Sequence, residues 1–131
     1  MREYKFRGKR KDGKGWSYGD LLHYDGKVFV GLEDAWLDEC EVDPATVGMC
    51  TGLKDRLGRE IFEGDIVFDS DWECIGKVFY SSEHLSWMVR LDGESEFLQE
   101  FICADTVKTE SSEVIGNIHD NPELMEVPDE R

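Results

Sequence analysis

Three groups of side chains in the sequence have the types and spacing to do chemistry. Asp65, Asp69, Asp71 and Glu73 form a run of carboxylates, the hard oxygen donors that hold Mg²⁺ or Ca²⁺. The run lacks the glycine-turned loop of a calcium site, and Asp65 belongs to a turn, so we expect a structural or solvated role and no metal. Ser81, Ser82, Glu83 and His84 set a nucleophile, an acid and an imidazole side by side. A catalytic triad needs such groups converging from different elements beside an oxyanion hole, and no Gly-x-Ser-x-Gly elbow surrounds them. The expectation there is a polar hairpin loop. No glycine-rich phosphate loop opening a helix occurs in the sequence, which leaves nucleotide hydrolysis without support.

The third group is aromatic: Trp16, Tyr18, Phe29, Trp36, Trp72 and Trp87. Four tryptophans exceed what a small β-barrel must bury. Trp72 sits between Asp71 and Glu73, with Asp69 close by, and we expect it to be exposed. An aromatic ringed by acids suits the anchor of a protein interface. The competing reading folds it back as a lid on the open end of a barrel.

The charge is −15, and it is unevenly spread. Residues 1–14 carry seven Lys/Arg against two acids, and everything after them carries a net −20. Arg7, Lys9, Arg10 and Lys11 form a basic segment able to pair with the acidic body or with an external anion. The body itself should repel nucleic acid and anionic bilayers. Cys40, Cys50, Cys74 and Cys103 include no C-x-x-C pair, and the histidines are scattered, so we expect reduced thiols, no zinc and no cofactor. The basic start is followed by no apolar core and no run is long enough to span a bilayer, which predicts a cytoplasmic protein.

The elements that must position these residues are strands. The stretch Thr46 to Phe68 holds two β-patterned runs joined by a charged turn. Its Gly64-Asp65 step predicts a sharp change of strand direction, the structural corner of a small barrel. Before it, Asp12-Gly13 and Asp25-Gly26 punctuate three strand-like segments, predicting a β-meander over 1–31. Residues 32–45 are acidic at six of fourteen positions and stopped by Asp43-Pro44, and read as a connector with one short helical turn or edge strand, pinned by Trp36 and Leu37. Further strands follow to about residue 118. Asn121-Pro122-Glu123-Leu124 predicts a short C-terminal helical turn capped by Asn, within a tail over 122–131. The fold class is mainly β.

Two stretches resemble the signature segments of a known family. TVGMCTGLKDRLGREIFEGDIVF (Thr46 to Phe68) and EVIGNIHDNPELM (Glu113 to Met125) are similar to those of the YopX family, small proteins encoded by phages and prophages. The opening, Tyr4-Lys5-Phe6-Arg7 with Tyr18-Gly19-Asp20-Leu21, is also similar to how many members begin. Gly8-Lys9 stands where members often carry Ala-Trp. The resemblance implies an SH3-like barrel over about residues 46–121 and a phage or prophage origin. It brings no established catalytic residues.

These readings together favour a non-enzymatic interaction module that binds another protein or itself as a homo-oligomer, through Trp72 and open strand edges. A second reading is an acidic nucleic-acid mimic that occupies the basic groove of a host nucleic-acid-binding protein. A third is direct nucleic-acid binding through the basic N-terminal segment, which the charge of the rest of the surface opposes.

Overall fold

Asp25 and Gly26 hold φ angles of 54° and 74°, the pair of left-handed conformations that a two-residue hairpin turn requires. They join β2 (Trp16–Tyr24) to β3 (Lys27–Gly31), with Tyr24 opposite Lys27. β1 (Phe6–Lys9) pairs antiparallel with β2 on one side and with the start of β4 (Gly48–Lys54) on the other. The computed structural model describes residues 5–32, 36–70, 73–91, 95–98 and 112–125. The chain divides into two compact units, Met1–Cys50 and Thr51–Arg131.

The first unit is therefore a meander in the order β3-β2-β1-β4. The acidic segment after β3 packs onto it, with a 3-10 turn at Leu37–Glu39 and single bridges from Glu41 to Phe29 and from Val42 to Arg10. The Val30 N–H donates to the Cys40 carbonyl and the Val42 N–H to the Val28 carbonyl, so the outer edge of β3 is closed. Cys40 and Val42 are buried and hold this segment down. Trp36 and Leu37, expected to pin it, are 74% and 49% exposed instead. Small apolar residues with hydrogen-bonded backbones anchor the segment, and the large ones stay in water. Val42 packs on Gly8 so closely that a Cβ there would lie 2.7–2.9 Å from three Val42 carbons. Thr46, also buried, accepts from the Lys9 N–H at 2.8 Å and donates to the Asp43 carbonyl.

The second unit begins within β4, which turns through residues 55–58 into its neighbour β5 (Glu60–Phe62). β6 (Asp65–Asp69), β7 (Cys74–Ser81), β8 (Ser86–Arg90), β9 (Ser95–Phe97) and β10 (Ser112–Asn117) form an antiparallel sheet in the order β10-β6-β7-β8-β9. Ile61, Val67, Val78, Val89, Leu91 and Leu98 make its core, with Leu53, Trp87 and Val114 packed against them. Residues 122–125 close the described chain as one 3-10 turn. The Asn121 side-chain oxygen, just before it, accepts from the Asn117 N–H.

Among the described residues the sheets are not closed into a barrel. β9 and β10 are the two ends of the second sheet. The outer edge of β10 is occupied at Ser112 and Val114 by the turn that follows β4, so it has no groups left there to pair with a further strand. Strand identity followed from the residue pattern, whereas closure depends on which edges other parts of the chain take up.

Gly76 lies in the most crowded part of this core. A Cβ there would sit 2.1 Å from a Val89 methyl and 2.7 Å from a Leu91 methyl. Gly76→Ala should destabilise the protein by about 1–3 kcal/mol in urea denaturation, the usual cost of overpacking. Adding Val89→Ala should give part of that back, so that the double variant loses less than the two single losses combined. Strict additivity would show that the two side chains do not compete for this space.

Candidate functional site

The residues that converge most tightly in the second unit surround Asp55. It sits at the end of β4, and its side chain has no exposure to solvent. One carboxylate oxygen accepts from the N–H groups of Leu57 and Arg59, both at 2.9 Å, which ties the turn. The other accepts from the N–H of Val114 on β10, at 2.9 Å. Arg59 donates back to the Val114 carbonyl at 2.9 Å, and the Arg56 N–H donates to the Ser112 carbonyl. Arg56 and Arg59 also both reach Glu113. The turn therefore satisfies the edge of β10 as a neighbouring strand would, with side chains standing in for part of the backbone.

Burial alone would push the Asp55 carboxyl up. The backbone donors of Val114, Arg59 and Leu57, with the Arg59 charge, outweigh it and hold the group below its ordinary value. The arrangement anchors the turn to β10.

The corner between β5 and β6 works similarly. Gly64 has a φ of 90°, and the buried Asp65 accepts the Phe62 N–H at 2.7 Å across the turn. Gly64 also donates to the Val78 carbonyl and accepts from Ile118, so the corner is stitched to strands on both sides. At the end of β10, Asn117 accepts from His119 and Asp120 and bonds the Asp120 carboxylate, while Asn121 reaches back to it. Asp55, Asp65, Asn117 and Asn121 all lie in the two signature stretches, and each has a structural task.

The structure places only some of the other candidates. Asp69 is the last residue of β6 and is 4% exposed, placed between Ser112 and Cys74 on its two neighbours, so it offers no carboxylate to an interface. Glu73 is exposed in the turn before β7 with a φ of 53°, while Asp71 and Trp72 lie outside the described residues. Among the described residues no group of three or more His, Cys, Asp or Glu is placed to hold a metal ion. Ser81 Oγ lies 3.1 Å from His84 Nδ1, but it also accepts the His84 N–H, which makes it the cap of the β7–β8 turn. His84 stacks edge-on against Phe97.

The basic segment is turned on its own unit. Arg7 is 6% exposed, with its guanidinium 4.7 Å from the centre of the Trp16 ring. Arg10 bonds Asp12 and holds that carboxyl below its ordinary range, and Lys11 pairs with Glu41 at 3.4 Å. Cys40, Cys50 and Cys74 are in no disulfide. Among the described residues no helix is long and apolar enough to cross a membrane.

Sequence reasoning passed over Asp55, whose spacing to Gly58 and Arg59 signals a turn but not its partner on β10. It named Tyr18 among the candidates but not Leu22 and Tyr24, which are exposed on the same strand. Their period-2 spacing was the available signal.

The fold and these motifs define an antiparallel β protein whose most distinctive residues hold turns and strand edges. Residues 5–126 match the YopX protein family, and the chain belongs to it. The crystal structure of protein EF1440 from Enterococcus faecalis is similar, with a TM-score of 0.52 and 23% identity over 96% of this chain and 100% of that one. That likeness is one of fold. No curated protein matches the chain.

Because the carboxyl of Asp55 is held low in the folded state, its contribution is fully present above the ordinary carboxylate value of about 3.9 and is lost as pH falls through the folded value. Asp55→Ala leaves the half-buried Val114 N–H without this partner and should cost on the order of 1–3 kcal/mol at neutral pH. Urea denaturation of wild type and variant should converge as pH drops below that range. A difference that stayed constant with pH would show that the carboxylate's charge is not what matters.

Proposed function

We propose that this chain is a non-enzymatic protein-interaction module, of phage or prophage origin, acting in the bacterial cytoplasm. The observation that carries this reading is the fate of the signature residues. Asp55, Asp65, Asn117 and Asn121 are spent on turns and strand edges, and Ser81 with His84 on a hairpin, so the residues with chemical potential serve architecture. What the described surface offers is shape, charge and apolar side chains. Trp36, Leu85, Leu32 and Tyr24 are each more than 60% exposed, and Trp72, between two acids in the sequence, joins them as an anchor to test.

One observation favours the second reading, a nucleic-acid mimic. Residues 51–131 carry seven Lys/Arg against twenty acids, a net −13, while residues 1–50 carry eight against ten. So concentrated a charge suits the basic groove of a host nucleic-acid-binding protein. Direct binding of nucleic acid is the weaker reading, since Arg7, Arg10 and Lys11 already face Trp16, Asp12 and Glu41.

Capture of host proteins on the immobilised chain, after nuclease treatment and at two salt concentrations, tests these readings together. A partner retained at high salt and lost in Trp36→Ala or Trp72→Ala supports the interaction module with an apolar contact. Release of a basic protein by moderate salt or by competing duplex supports the mimic. Turnover of a substrate by the purified chain, with no partner retained, would overturn both.

A further inference from the structure

The outward backbone groups of β10 are met from within its own unit, and mostly by side chains. The Ser112 carbonyl accepts from the Arg56 N–H at 2.9 Å. The Val114 N–H donates to the Asp55 carboxylate, and the Val114 carbonyl accepts from the Arg59 guanidinium, both at 2.9 Å. Further along, the Asn117 N–H donates to the side-chain oxygen of Asn121 at 3.2 Å, and the Asn117 carbonyl accepts from the Asn121 N–H at 2.8 Å.

These positions are the ones an outer edge should show. A strand in an antiparallel ladder turns the N–H and carbonyl of every second residue toward the same neighbour, and Ser112 and Val114 are two apart. The register against β6 slips between Val114 and Gly116. One extra residue there shifts the alternation, which brings Asn117 rather than Gly116 to the outside. An edge so arranged would ordinarily take another strand. Its partners here belong to no strand, since residues 55–59 form a turn and Asn121 follows another.

Reversing the chain does not by itself require this much chemistry. Asp25-Gly26 turns β2 into β3 with two residues. At Asp55 one carboxylate oxygen is enough to tie the turn, through Leu57 and Arg59, and the other meets Val114 and the Arg59 guanidinium. The side chain is wholly buried to do so, and a buried carboxylate is unfavourable unless its oxygens are bonded. Arg56 and Arg59 add ion pairs to Glu113, which hold the turn against the strand.

We infer that Asp55, Arg59 and Asn121 act together as a seal on β10 and bar a further strand from adding to that end of the sheet. The inference goes beyond the interaction-module reading and narrows it, because it removes β10 from the strand edges open to a partner. In a solution of the pure protein, the strand that can add to an opened β10 is one from another copy. Loss of the seal therefore reads out as self-association.

Sedimentation over a range of protein concentrations, with circular dichroism to confirm the fold, tests this on two variants. Arg59→Ala/Asn121→Ala frees the Val114 carbonyl and the Asn117 N–H while leaving Asp55 tied to its turn and to Val114. Arg59→Ala alone, at a side chain 51% exposed, frees the Val114 carbonyl with least effect on the fold. The expected result is self-association at roughly tenfold lower protein concentration than wild type for the double variant, and a smaller shift in the same direction for the single one. The associated form should show the infrared amide band of intermolecular β-sheet. Gly76→Ala, which loosens the core and leaves the edge intact, should sediment like wild type. Folded edge variants that sediment like wild type would overturn the inference, and so would a Gly76→Ala chain that associates as strongly as they do. If the double variant does not fold, the single one decides. Capture of host proteins is read separately, so the seal and the interaction module stand or fall on different measurements.

Discussion

An edge strand leaves a row of N–H and carbonyl groups that must find partners, and in this protein one carboxylate decides where those of β10 go. Asp55 takes the Val114 N–H while also tying its own turn, and Arg59 returns a bond to the same residue's carbonyl. β10 in turn supports β6, which carries Ile66 and Val67 into the interior. This contact takes up part of the outer edge of β10 and so steadies the strand that flanks β6. A hydrophobic side chain at position 55 could fill the space but could not satisfy the donors.

That economy bears on function. Residues that distinguish a family are readily taken for its active centre, yet here their hydrogen bonds are directed into the fold. The Asp65 corner and the Asn117 turn are local solutions to the problem of reversing a chain quickly without leaving backbone groups unmet. Such a scaffold leaves its surface open to vary.

Much of the fold was legible because short-range chemistry determines it. Asp25-Gly26 announces a hairpin, and Gly64-Asp65 a corner, from the conformations those residues favour. What was not legible is long-range. Nothing local to Asp55 points to Val114, 59 residues away in sequence, and nothing in the acidic composition of residues 32–45 reveals that Cys40 and Val42 close the edge of β3. Trp36 looked like the anchor of that segment because it is the largest apolar residue there. Burial followed backbone pairing rather than size. Asp69 reads in sequence as one of a run of carboxylates, but its strand runs one step further than the apolar pattern does.

The close approach of Gly8 and Val42 carries a consequence for the history of the family. Position 8 admits no side chain while a β-branched residue stands at position 42, because the nearest atoms belong to a stiff side chain that cannot swing aside. The first of these positions lies on β1 and the second in the acidic segment that closes β3. A lineage that gains a methyl group at the first must shed volume at the second, so the two positions should change together across homologues. Such paired substitution would record, in sequences alone, that the acidic segment has always been folded against the meander.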